Sequence, residues 1–198
     1  MHKEIADFIN SKVSGANACV VEAEVGDNLI FVEASSILEV CKNLKNSDYD
    51  MNVLQCVTGT DYEDRIEVSY IIASFTKNSE VIIKAKLPKT SSDATVAIDS
   101  VCSVWKSANF LERETYDMLG VVFTSHPDMR RILCPDDWEG YPLRKDYKVQ
   151  EVYNDMVVDP PEKVNKADHN FFKEIMEKMG DEKKVAYSWK QEEPESAQ

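Results

Sequence analysis

The stretch 66-IEVSYIIASFTKNSEVIIKAKL-87 sets the fold class. Ile66, Val68, Tyr70 and Ile72 recur at every second position, and so do Val81, Ile83, Ala85 and Leu87, with Lys84 and Lys86 opposite. A two-residue period puts one set of side chains on each face of a strand. Lys77-Asn78-Ser79 between the runs supplies the turn, so the stretch predicts an antiparallel hairpin with one buried and one solvated face.

Toward the N-terminus, Ala18–Val25 and Leu29–Val32 flank Gly26-Asp27-Asn28, which predicts an earlier hairpin. Ile5, Phe8, Ile9 and Val13 are spaced for an N-terminal helix over 3–13. Ser35 or Ser36 is placed to cap a second helix whose apolar face is Ile37, Leu38, Cys41 and Leu44. Met51–Thr58 is expected as a strand, with Gly59–Asp64 as a turn or loop. Helical spacing is read through Val96, Ile98, Val101, Val104 and Trp105. A further helix follows over about 110–119, capped by Asn109 with Glu112 and stopped by Gly120.

The order α-β-β-α-β-β-β-α-α describes an α+β fold, a mostly antiparallel sheet with helices packed on one face. A long irregular C-terminal extension follows. The expected division is an α+β domain over 1–123, an irregular partner-binding segment over 124–150, and an extension over 151–198. In that extension Asp168 caps one short helix carrying Phe171, Phe172, Ile175, Met176 and Met179, and a polar tail ends the chain. Pro127, Pro135, Pro142 and Pro160 hold the residues before them extended. A crossing segment of that length with little structure of its own is usually functional or lies on a partner.

Composition narrows the function. Hydrophobic residues at 43% and charged residues at 30% describe a globular chain. No run approaches the ~18–20 apolar residues of a membrane span, and the acid-bearing start MHKEIADFIN is neither a signal nor a transit peptide. A net charge of −13 argues against nucleic-acid binding. From His126 to Lys148 five bases meet five acids, so that window is neutral and the acidity lies elsewhere. The five cysteines (Cys19, Cys41, Cys56, Cys102, Cys134) have no CxxC spacing, which predicts free thiols in a reducing compartment and no cluster or zinc site.

Residues 112–147 hold the candidate site. Glu112, Glu114 and Asp117 with His126 are the residue types of acid/base hydrolysis, but on a helix 112 and 114 point about 200° apart, and only 114 and 117 share a face. Arg113 stands four residues before Asp117, the spacing of an intrahelical ion pair. His126, in a loop before Pro127, has no neighbouring histidine to share a metal with and suits hydrogen bonding. Arg130, Arg131, Arg144 and Lys145 lack an adjacent glycine-rich loop and are expected to pair with protein carboxylates. Trp138, Tyr141 and Tyr147 lie among charges, as in interface hot spots, and the alternative is that they cover this domain's own core.

The run Glu112-Arg113-Glu114-x-x-Asp117-Met118-Leu119, then His126, Arg130 and Ile132-Leu133, resembles the signature of the 30 kDa subunit family of respiratory complex I, the C component of that enzyme. Gly140-Tyr141-Pro142-Leu143-Arg144-Lys145-Asp146-Tyr147 matches the segment that follows it there, and the resemblance covers roughly residues 1–148. It implies a non-catalytic structural subunit of the proton-translocating NADH-quinone oxidoreductase, within an enzyme that passes electrons to quinone. The expected place is the peripheral arm, docked on the larger quinone-site subunit (the D component), with the B and I components nearby. FMN and iron–sulfur clusters would sit in partner subunits and none in this chain. It further implies attachment to the membrane only through the complex, on the cytoplasmic face of the bacterial inner membrane or the matrix side in an organelle. Glu112, Arg113, Glu114, Asp117, His126, Arg130, Arg131, Trp138, Tyr141, Arg144, Lys145, Asp146 and Tyr147 would form the subunit interface. The alternatives are a homologous subunit of an energy-converting hydrogenase or deazaflavin-linked dehydrogenase, a free-standing hydrolase, and an acidic adaptor.

Overall fold

The structure, a computed structural model, describes residues 2–22, 26–89 and 96–158. The expected helix after Asp168 and the polar tail lie outside these residues. The chain divides into two compact units, 1–148 and 149–198.

The first unit is built on a five-stranded sheet in the order β1-β2-β5-β4-β3. Its strands are β1 (Cys19–Val21), β2 (Leu29–Val32), β3 (Val53–Asp61), β4 (Arg65–Ser74) and β5 (Ser79–Pro88). The 66–87 stretch is its centre: β4 and β5 pair antiparallel over ten residue pairs, from Arg65↔Pro88 to Ser74↔Ser79. β3 joins β4 antiparallel with an irregularity between Leu54 and Cys56, and β1 joins β2 antiparallel. Only β2 runs parallel to its neighbour, β5. The sheet is therefore mostly antiparallel, and the α+β expectation is met.

The core face carries Ile30, Val57, Ile66, Val68, Tyr70, Ile72, Ile83 and Ala85, all buried. Against it pack α1 (His2–Lys12) through Ile5 and Ile9, and α2 (Ile37–Lys45) through Ile37, Val40, Cys41 and Leu44. Each such fully buried aliphatic or aromatic side chain contributes about 1.5–3 kcal/mol by leaving water.

Four local expectations are corrected. Neither Ser35 nor Ser36 caps α2 through its side chain, because a 3₁₀ turn over Ala34–Ser36 feeds the helix and Ser36 already has helical backbone angles. Gly59 is not in a turn but inside β3, where its missing Cβ admits α3 (Ala108–Leu119): a Cβ there would stand 2.3 Å from Leu119 Cδ1. The helix read through 96–105 is instead strand β6 (Val96–Asp99) followed by turns. Its partner, β7 (Val121–Thr124), pairs with it in parallel, Val96↔Val121 and Ile98↔Phe123, and α3 is the crossover between them. The β-branched residues at 96 and 98 follow the strand period, which that partner makes decisive. Asn109 and Glu112 do not form a capping box. The Glu112 carboxylate is used elsewhere, whereas Gly120 does stop α3 with a left-handed φ of 72°.

From Ser125 to Glu151 there is neither helix nor strand, and the segment belongs to the first unit up to Lys148. In the second unit the described residues form one small hairpin, β8 (Val152–Tyr153) with β9 (Met156–Val157), around Asn154 and Asp155 at positive φ.

Candidate subunit interface

Helix α3 organises the whole site. Its first turns sink Glu112, with no exposed surface, into a polar pocket between β6 and the helix. Glu112 Oε1 accepts the Val101 N–H at 2.7 Å, and Oε2 accepts the Ser100 hydroxyl at 2.6 Å and the Cys102 thiol at 3.4 Å. Burial raises the Glu112 pKa against the pull of these donors. Burial also pushes the Cys102 thiol up to about 11, so it stays a protonated donor.

His126 closes this pocket, its side chain fully buried and Nε2 3.9 Å from Glu112 Oε2. The ligand atoms of Cys102, Glu112 and His126 lie within 4.8 Å of one another, a spacing that could hold a metal ion. The hydrogen bonds point another way. His126 Nδ1 accepts the Asp128 N–H at 3.0 Å, which places the ring proton on Nε2, 3.1 Å from the Asn109 carbonyl. A neutral imidazole in that tautomer has no lone pair left for a cation. The cluster ties β6, α3 and the chain after β7 together.

One and a half turns later, Asp117 is equally buried but differently used. Its Oδ2 accepts three consecutive backbone N–H groups, Ile132 at 3.0 Å, Leu133 at 2.7 Å and Cys134 at 2.9 Å. Arg131 Nη1 stands 3.3 Å from Oδ1 as an ion pair. Burial alone would raise the Asp117 pKa, but the three N–H donors and Arg131 outweigh it and hold the carboxyl below its ordinary value. The i,i+4 pair with Arg113 does not form: Arg113 Nε donates to the Arg130 carbonyl, and the guanidinium lies over Phe110. Glu114, expected to share a face with Asp117, is exposed.

At the end of α3, Arg144 Nε donates to the Leu119 carbonyl at 2.6 Å and the Leu143 N–H to the Met118 carbonyl. These meet the unpaired, partly negative carbonyls of a helix terminus. Tyr141 lies between the guanidinium groups of Arg131 and Arg144, 5.2 and 5.0 Å from its ring centre, and its ring sits where a Cβ on Gly120 would be. Arg131 Nη2 donates to the Gly140 carbonyl, and Trp138 Nε1 donates to the Tyr147 hydroxyl at 3.0 Å. Lys145 and Asp146 have exposed side chains, but the Lys145 N–H reaches Asp61 Oδ2. Arg130 pairs with Asp128 on the surface.

Asp61 and its partner Lys89, 2.6 Å apart and nearly inaccessible, were missed by sequence reasoning. The available signal was an acid at the core-facing position of β3, two residues beyond Gly59. Ser100, which orders Glu112, offered no signal.

Of the thirteen candidates, Glu112, Arg113, Asp117, His126, Arg131, Tyr141 and Arg144 are joined in one network around α3. Trp138 pairs with Tyr147, and the side chains of Glu114, Arg130, Lys145 and Asp146 remain at the surface. Leu133, Leu143 and Phe110 are exposed beside them, at 61%, 59% and 65%.

The profile of the family described as respiratory-chain NADH dehydrogenase, 30 kDa subunit, matches residues 30–153. The chain belongs to that family. It is 44% identical over 129 residues to the C component of the NADH-quinone oxidoreductase of Geobacter metallireducens, covering 63% of this chain and 76% of that one. With the protein of the same name from Chloroherpeton thalassium it shares 50% over 107 residues, 53% of this chain and 43% of that one. Neither relative carries the name of a hydrogenase or deazaflavin-linked dehydrogenase, so those alternatives are not favoured. The solved structures that share the fold include two that illustrate the likeness. One is the trypsin-resistant fragment (1–134) of Nqo5, with TM-score 0.52, 23% identity, and coverage of 64% of this chain and 97% of that one. The other is a chain of an archaeal membrane-bound sulfane sulfur reductase, with TM-score 0.60, 24% identity, and coverage of 74% and 85%.

Proposed function

We propose that this member of the 30 kDa family is a non-catalytic structural subunit of the NADH-quinone oxidoreductase. It docks on the larger quinone-site subunit, the D component, through α3 and residues 126–147. The B and I components lie nearby in this reading. FMN and the iron–sulfur clusters belong to partner subunits, and the chain reaches the membrane only through the complex. The side is the cytoplasmic face of a bacterial inner membrane, or the matrix side in an organelle. No helix among the described residues is long and apolar enough to span a membrane.

The observation that carries the docking role is a pair of exposed leucines on a locked backbone. Leu133 and Leu143 are 61% and 59% exposed, while their N–H groups are fixed to Asp117 and to Met118 in the last turn of α3. The buried ions are occupied internally and hold the segment, and the exposed apolar and charged side chains are left to meet the partner. A preorganised surface loses little entropy on binding.

A Leu133→Glu/Leu143→Glu double variant should keep the thermal midpoint of the isolated chain and lose most of the assembled complex on native gels. Activity per assembled complex should stay near normal. A photo-crosslinker at position 143 should capture the larger quinone-site subunit. Full assembly with lost NADH oxidation would refute the structural role.

A further inference from the structure

Asp61 ends β3 at a place where a charge is costly. Its side chain and that of Lys89 are nearly inaccessible, with Lys89 Nζ 2.6 Å from Asp61 Oδ1. The Lys89 backbone is fixed as well, its N–H donating to the Asp64 carbonyl in the β3–β4 turn. Taking two charges out of water is so expensive that well-packed apolar residues of similar volume often serve a fold equally well. Stability is therefore a weak reason for this pair. What an apolar pair could not supply is a second acceptor: Asp61 Oδ2 accepts the Lys145 N–H at 2.9 Å, from 84 residues further along the chain.

That bond completes a bracket around Leu143. Three consecutive amides are held by three different parts of the molecule. The Leu143 N–H goes to the Met118 carbonyl in the last turn of α3, the Arg144 N–H to the Tyr141 carbonyl within the segment, and the Lys145 N–H to Asp61 at the end of β3. Arg144 Nε adds its bond to the Leu119 carbonyl. The helix thus anchors the chain on one side of the exposed Leu143 side chain and the sheet anchors it on the other. An aspartate carboxylate turns easily about its last bond, because that torsion is broad. By holding Oδ1, Lys89 keeps Oδ2 aimed at Lys145.

We propose that Asp61 is a positioning residue for the docking surface, with Lys89 as the cation that orients it. Through the Lys145 amide the pair sets where Leu143 is presented to the partner, although both side chains are too buried to meet a partner themselves. The inference rests on the reading of α3 and residues 126–147 as the docking face, and adds to it two residues from the sheet.

Two double variants of the full-length chain separate this role from plain support of the fold. Asp61→Asn/Lys89→Gln removes both charges but keeps an amide oxygen for the Lys145 N–H and a carbonyl for the new amide hydrogens. Asp61→Leu/Lys89→Met fills the same space and offers no acceptor. In the isolated chain, the acceptor-free variant should exchange the Lys145 amide about tenfold faster, as for the loss of one hydrogen bond to a charged group, with the β4–β5 ladder unchanged. It should also lose most of the assembled complex on native gels, whereas the first variant keeps its Lys145 protection and its assembly. Equal assembly of the two variants, at whatever level, overturns the proposal, because the acceptor then makes no difference. Normal Lys145 exchange in the acceptor-free variant overturns it too, and so does protection lost there in step with the β4–β5 ladder. Full assembly of the Leu133→Glu/Leu143→Glu chain would instead refute the docking reading, so the two failures are told apart.

Discussion

The sheet and the crossing segment over 125–148 are ordered by opposite means. In β4 and β5, ladder hydrogen bonds and a continuous apolar face hold the backbone, and side-chain polarity is incidental. In the crossing segment there is no ladder. Its backbone is held by charged side chains reaching carbonyls and N–H groups: Asp117 to residues 132–134, Arg131 to Gly140, Arg144 to Leu119, and Asp61 to Lys145. Ions spent on backbone bind one conformation of one chain. A segment that looks like a set of hooks for partners is, first, a set of hooks on its own helix.

The largest test of this contrast removes Asp117. Asp117→Ala strips three N–H groups of their acceptor and leaves Arg131 buried without its counter-ion, which typically costs about 3–5 kcal/mol. Amides 132–134 should lose hydrogen-exchange protection ahead of the β4–β5 ladder. Ile83→Ala, a core truncation of about 2–5 kcal/mol, should instead lower both together. Protection lost in step in both variants would erase the distinction between the regions.

A smaller effect is expected at the hinge between them. Gly120→Ala forces a side chain into left-handed backbone, about 1–2 kcal/mol, and pushes Tyr141 from its place between the two arginines. The denaturation midpoint should fall and the near-ultraviolet tyrosine signal should change. An unchanged tyrosine signal would show that the ring does not depend on that glycine.

The smallest expected effect is one of pH, and it separates two carboxylates on one helix. The Asp117 pKa is depressed in the fold, so its contribution is present above the ordinary aspartate value of about 3.9 and is lost as pH falls through its lower folded value. The Glu112 pKa is raised, so its contribution is complete below about 4.3 and is lost as pH rises through its folded value. Urea midpoints against pH should show Asp117→Asn flattening the acid limb and Glu112→Gln flattening the opposite slope. Slopes of the same sign would contradict the assigned environments.

Legibility follows the same division. The two hairpins, α1, α2 and the Gly120 stop could be read in the residues, because each depends on neighbours close in sequence. The strand character of 96–99 and 121–124 could not. Each is four residues long, and only the other, across the intervening helix, makes it a strand. At the site, the residue types of the α3 motif stood out in the sequence, but their partners did not. Arg113 at helical spacing from Asp117 pointed to an ion pair that Arg131, fourteen residues further on, takes instead. Asp61 and Lys89 lie in strand β3 and just past β5, and only the fold brings Asp61 to Lys145.

Residue order alone specifies the α+β class, the buried face of the sheet and the family, since periodicity and motif spacing are properties of adjacent residues. Which charges are buried, and what each one holds, is settled only when the chain has folded. A carboxylate's role is fixed by the donors within 3 Å of it once water is gone, and for Glu112 and Asp117 those donors lie eleven to seventeen residues away along the chain.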